Sequence, residues 1–255
     1  MAENNLEVPV FPAVAQQIAQ AADTDADGKA LAELVRKDAP VSAHLLRLAN
    51  SPVYRGRQTI VTVQHAIARL GRDKLRQIAL VVALKSRTFR VPGFDEELQL
   101  IVRHGFATAV FAQAIARGRA GNAEEAFLCG LLHDLGKLVL LQAALDAGAS
   151  ARLEILRVVD ELHAAAGAGI AKAWGLSANV ALAMAQHHGS DVDAPAAVHI
   201  VRLADTLAHC ALDDVDDRAV RTHPSLAPLE LYPNQLDMLL FMKASVRATA
   251  GEVLS

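Results

Sequence analysis

The chain has 255 residues, of which 53% are hydrophobic, 21% charged and only 4% aromatic. That is enough apolar mass for one large folded domain or two small ones, and it excludes extended disorder beyond the first few residues. The net charge of −3 excludes a globally basic nucleic-acid binder, yet residues 1–90 carry 13 Lys/Arg against 8 Asp/Glu while residues 91–255 carry 12 against 20.

Ala and Leu are abundant and apolar positions recur at helical spacing nearly everywhere, which predicts an all-α fold. In chain order, "PAVAQQIAQAA" reads as a first helix, with Pro12 in its first turn. "DTDADG", residues 23–28, imitates the start of a calcium loop. The bidentate Glu of such a loop would fall at Leu34, with Glu33 one place early, so the stretch reads as a helix-capping turn. "KALAELVRKD" and "SAHLLRLAN" are the next helices, the latter ending near Asn50. "TVQHAIARLG" closes on Gly71 as a C-terminal cap, and "RDKLRQIALVVALKSR" follows. These last two loosely resemble a helix-turn-helix, with Arg55, Arg57, Arg69, Arg72, Lys74 and Arg76 set against Asp73. Such charges are more often a solvated helix face, and nucleic acid is not expected as a partner.

"RVPGFDEE" around Pro92 and Gly93 marks a boundary. Beyond it helices are expected over 95–117, 123–142, 151–174, 178–188 and 195–212, with a last amphipathic helix over 231–254. Ser177 and Asp193 stand where N-terminal caps belong, and Gly189 where a C-terminal cap belongs. The expected division is 1–92, 93–214 and 215–255, the last packed on the middle part. Cys129 and Cys210 have no CxxC spacing, which fits free thiols in a reducing compartment. The N-terminus lacks the pattern of a signal peptide, and the longest apolar run, residues 78–84, is too short to span a bilayer. A cytoplasmic protein without a membrane partner is expected.

"FLCGLLHDLGKLVL", residues 127–140, places His133, Asp134 and Lys137 in an otherwise apolar stretch. A carboxylate there needs a partner. Lys137, three residues on, would serve as a plain ion pair. His104, His163, His187, His188 and Asp205 also lie in helical patterns, and each has an ordinary reading. His104 suits a core histidine, His187–His188 a helix C-terminus, and Asp205 has Arg202 and His209 in reach. In order, however, they spell H…HD…H…HH…D. The intervals are 29, 29, 24 and 17 residues, each about one helix plus a connection. Antiparallel helices could bring all seven side chains to one centre. Imidazoles and carboxylates suit one or two divalent ions of iron, manganese, zinc or nickel, with Asp134 the natural bridge.

This order resembles the HD superfamily of metal-dependent phosphohydrolases. The blocks "VSAHLLRLANSPVYRGRQTIVTVQHAIARLG", "FLCGLLHDLGKLVL", "HAAAGAGIAKAWGLS" and "AMAQHHG" resemble, more specifically, the HDOD family, the HD-related output domains of bacterial signalling proteins. The resemblance implies an HD-type helical bundle with an additional N-terminal helical subdomain. It implies a regulatory protein that acts mainly by binding a signalling partner, the alternative being a phosphodiesterase or nucleotidase. Every superfamily ligand position is matched: His104, His133, Asp134, His163, His187, His188 and Asp205. By resemblance to the related HD-GYP phosphodiesterases, Lys137 would lie near a substrate phosphate. The stretch after the double histidine, "HHGSDVDAPAAVHIVRLAD", lacks their GYP element.

Overall fold

A computed structural model describes residues 17, 18, 21, 28–51, 54, 56, 58–84, 89, 91–213 and 215–254. The expected helix around Pro12, the acidic stretch 23–27, Arg55, Arg57 and the end of the apolar helix beyond residue 84 lie outside these, as does the side chain of Asp73. Among the described residues all regular structure is helical. Compactness divides the chain into Val10–Phe89 with Ala248–Ser255, and Arg90–Arg247 with Met1–Pro9.

The smaller unit holds helices α1 (Gly28–Arg36), α2 (Ala39–Asn50), α3 (Val63–Leu70) and α4 (Arg72–Ala83). Asp38 caps α2, its carboxylate accepting from Val41 N at 3.1 Å, and Thr62 caps α3 through His65 N at 3.2 Å. Gly71 ends α3 with φ +84°, a backbone angle that favours glycine. Asn50 closes α2 and clasps the following loop. Its Nδ2 donates to Ile60 O at 2.7 Å and its Oδ1 accepts from Ile60 N at 2.8 Å.

The larger unit holds α5 (Asp95–Gly118), α6 (Ala123–Leu132), α7 (Leu135–Asp146), α8 (Arg152–Ala173), α9 (Ala178–Gln186) and α10 (Ala196–Leu212). After them come α11 (Arg218–Arg221), a 3-10 turn (Pro224–Leu226), α12 (Pro233–Phe241) and α13 (Lys243–Leu254), whose residues from Ala248 group with the smaller unit. Helix α5 packs along α6 and α10, α7 along α8, and α9 against α8, α6 and α10. Phe106, Phe111, Phe127, Leu132, Leu138 and Leu141 are among its fully buried side chains. Asp95–Gly118 and Ala123–Asp146 are long and apolar enough to cross a membrane by length and composition, but more than half of each apolar window is buried in the protein.

Four sequence expectations are corrected. The helix expected over 123–142 is broken at His133–Asp134, because Asp134 leaves the helical ladder (φ −96°, ψ 6°) and starts a new helix. Gly189 is not a left-handed cap; a Cβ there would lie 2.6 Å from the Arg202 guanidinium, so the glycine makes room for that side chain. Asp193 caps nothing: α10 begins after Pro195 without a side-chain cap, and Asp191 instead accepts from Asp193 N at 2.9 Å. The single helix expected over 231–254 is two, α12 and α13, parted at Met242.

Candidate metal centre

All the site residues lie in the larger unit. His104 comes from α5, His133 and Asp134 from the α6–α7 break, and His163 from α8. His187 and His188 come from the end of α9, and Asp205 from α10. The break aims the dipeptide inward. Asp134 opens α7 yet makes no side-chain cap bond, so its carboxylate is left to the interior.

Close backbone approach draws the elements together. A Cβ on Gly130 would sit 2.7 Å from Ala109 Cα, one on Gly105 would sit 2.9 Å from Leu131 O, and one on Gly136 would sit 1.9 Å from His163 O. The first two glycines let α5 and α6 touch beside His104 and His133. The third lets α7 touch α8 beside Asp134 and His163.

The imidazoles are held in a common way. His133 Nδ1 donates to Gly130 O at 2.8 Å, His163 Nδ1 to Asp160 O at 2.7 Å, and His187 Nδ1 to Met184 O at 3.0 Å. A donor at Nδ1 leaves the Nε2 lone pair facing the centre, as ligating histidines require. His163 Nε2 lies 3.2 Å from His187 Nε2, 2.9 Å from His188 Nε2 and 3.3 Å from Asp134 Oδ1. His187 Nε2 lies 3.5 Å from the same oxygen. The other carboxylate oxygen, Oδ2, accepts from Lys137 Nζ at 2.7 Å and faces His133 Nε2 at 3.5 Å. Across the centre His104 Nε2 stands 2.6 Å from Asp205 Oδ1, which His133 Nε2 approaches to 3.7 Å.

The charge state follows from these neighbours. Burial opposes ionisation of Asp134, but His133, His187 and Lys137 outweigh it and hold its carboxyl well below the usual range. Burial is likewise outweighed at Asp205 by the hydrogen bond from His104 and by the nearby imidazole of His133. At His133 the attraction of Asp134 and Asp205 overcomes burial and raises the pKa. Burial lowers His104 despite Asp205, and lowers His163 despite Asp134. His188 is pushed down to about 4 by burial and by the adjacent His187 and His163.

These residues fit a metal. Asp134 Oδ1 is buried without a hydrogen bond, which is costly for a carboxylate oxygen. The Nε2 atoms of His163 and His187 face it as acceptors, and a single proton from His188 satisfies at most one of the three. A divalent cation satisfies all of them at once. Asp134, His163, His187 and His188 offer ligand atoms within 4.8 Å of one another, and so do His104, His133 and Asp134. Asp134 belongs to both groups, as a bridging carboxylate would. Two cavities reach the centre. One, of about 260 Å³, is lined by Leu100, Arg103, His104, Lys137, His188 and His209 among others, and the second, of about 210 Å³, by His199, Arg202, His223 and Ser225 among others.

The structure brings together all seven residues singled out in the sequence. It separates Arg202 from Asp205, since that guanidinium donates to Gln186 O at 3.0 Å and Asp191 O at 2.7 Å, pinning the segment after the double histidine. Two features went unread. His209 joins His104 and Asp205 in a third ligand group. His199, bonded to Ser225 Oγ at 3.0 Å and Val192 O at 3.1 Å, lines the second cavity. Only the spacing of four between Asp205 and His209 gave a signal, and it served equally well for a plain side-chain contact.

An all-helical bundle whose inner faces gather this order of histidines and aspartates defines the HD class of domains. The family model of the HDOD domain matches residues 8–190, and the chain belongs to the HDOD family. An uncharacterized protein of Treponema pallidum (strain Nichols) is 24% identical over 196 residues. The match takes in 71% of this chain but only 38% of the length of that relative. A candidate phosphohydrolase from Shewanella amazonensis SB2B superposes with a TM-score of 0.71 at 23% identity, covering 98% of this chain and 96% of that one. A candidate signal transduction protein from Marinobacter aquaeolei VT8 superposes with a TM-score of 0.67 at 24% identity, covering 98% of this chain and 60% of that one. These likenesses show the fold.

Proposed function

We propose that this HDOD protein binds two divalent cations at the HD centre and hydrolyses a phosphate ester there. The observation that carries the reading is the unsatisfied Asp134 Oδ1 facing the Nε2 acceptors of His163 and His187. His104, His133 and Asp205 would hold one cation, His163, His187 and His188 the other, and Asp134 would bridge them. Bound cations would polarise a phosphoryl oxygen and lower the pKa of a water molecule. Lys137 lines the larger cavity and, after His133 and His187, helps to keep Asp134 ionised, and its ammonium would set a positive charge beside a phosphate oxygen. The carbonyl bonds at Nδ1 of His133, His163 and His187 hold the rings in place.

The second reading is a signalling module that acts by binding another protein. It is favoured by exposed apolar side chains at Tyr232, Met238 and Phe241 in and beside α12, the last 90% exposed. The signalling description of the Marinobacter protein agrees with it. A cytoplasmic location belongs to both readings and is supported by two thiols that are unpaired.

Metal analysis of protein purified without chelator, followed by a broad panel of phosphodiester and phosphomonoester substrates, separates the two. The panel should extend beyond cyclic dinucleotides because the GYP element is missing. We expect bound first-row metal and turnover on the order of 1 per second, abolished by His133→Ala with Asp134→Ala. Bound metal without turnover on any substrate favours the module, and absence of metal sinks the first reading.

A further inference from the structure

Resting on the reading that the HD centre binds divalent cations, we propose that His209 is a further metal ligand on the side of His104 and Asp205, and that Asp213 orients it. Asp205 and His209 stand four residues apart on α10, so their side chains share one face a turn apart. The same spacing brings two histidines to one ion in helical zinc motifs. His209 Nε2 lies 3.7 Å from Asp205 Oδ1, and its ring centroid lies 4.4 Å from that of His104. Ligand atoms of the three residues lie within 4.8 Å of one another. Asp205 Oδ1 is thus ringed by the Nε2 atoms of His104, His133 and His209.

The other nitrogen of His209 is committed elsewhere. Nδ1 meets Asp213 Oδ2 at 2.8 Å, and donates to it. A carboxylate that takes the Nδ1 proton fixes the tautomer and presents the Nε2 lone pair, which is how metal-ligating histidines are commonly held. An exposed ion pair between His209 and Asp213 would by itself contribute little. It would give no account of a ring laid against His104 with its second nitrogen turned to Asp205. His209 is half-exposed at 52% and lines the 260 Å³ cavity beside Arg103 and Lys137, so an ion arriving from solvent can reach it. Mixed imidazole and carboxylate donors suit a first-row divalent ion.

The test titrates Mn2+ into the chelator-treated full chain. Calorimetry reads the affinity, and loss of the paramagnetic signal of aqueous Mn2+ counts the bound ions. His209→Ala is expected to weaken at least one Mn2+ by about 10–100-fold, with Asp213→Asn weakening it in the same direction. The melting temperature of the metal-free variants should stay at the parent value, which a merely structural role would lower. If His209→Ala binds Mn2+ with the parent's affinity and count, the proposal is overturned while the HD centre stands. If the parent itself binds no Mn2+, both fall. Should His209→Ala fail to fold, the exposed Asp213→Asn variant decides by the same measurements.

Discussion

Three backbone carbonyls, those of Gly130, Asp160 and Met184, decide the chemistry of the centre, because each takes the Nδ1 proton of the histidine three residues later. When neutral, these rings can then accept only at Nε2. His104, whose Nε2 donates to Asp205, and His188 are the exceptions, and His188 is partly exposed with Nε2 turned towards His163. Its imidazole is held near 4, below the ordinary 6.5, so folding favours its neutral form. The unfolded chain takes up that proton first as pH falls. This contribution to stability is therefore whole above about pH 6.5 and is lost progressively towards pH 4. In metal-free protein, His188→Gln should flatten the fall of melting temperature across that interval, and an unchanged slope would count against the assignment. Residues of this kind were legible in the sequence through their order. His209 was not, since its spacing from Asp205 has an ordinary explanation on any helix.

A helix running unbroken through 123–142 would carry His133 and Asp134 round its own axis. The break between α6 and α7 instead presents both to the centre. Hydropathy could not reveal it, because the apolar run continues on both sides of the dipeptide. Nor could it reveal why Gly130 and Gly136 are glycines. Each marks a helix crossing where backbone meets backbone, and a methyl group at Gly136 would fall 1.9 Å from His163 O. Overpacking a core usually costs about 1–3 kcal/mol, mostly by shifting side chains. Here the obstruction is main chain. Gly130→Ala and Gly136→Ala should each lower the unfolding free energy in urea by at least about 3 kcal/mol. A loss under about 1 kcal/mol would show that the helices can part cheaply. The same glycines explain how α5 meets α6, and α7 meets α8, closely enough to set His133 and Asp134 among the other candidate ligands.

Among the described residues, the helical class could be read from periodicity, though not the breaks at His133–Asp134 and Met242. The grouping of residues from Ala248 with the smaller unit could not, since a local pattern does not say which unit a terminal helix joins. Cys129 and Cys210, both in the larger unit, are buried, and burial pushes the Cys129 thiol up to about 12. Native protein should therefore react with Ellman's reagent at neither thiol until urea unfolds it; prompt labelling of the folded chain would contradict the packing described. The seven candidate ligands arrive in five groups along the chain, at intervals of 29, 29, 24 and 17 residues. In the unfolded chain those intervals are slack loops, and closing each of them costs entropy that rises with its length. Only the adjacent pairs His133–Asp134 and His187–His188 exist before the helices dock. On the proposed reading, a cation would thus have almost nothing to template early in folding and would have to leave before the helices could separate. It would work as a late-set rivet, slowing unfolding while leaving the speed of folding almost untouched.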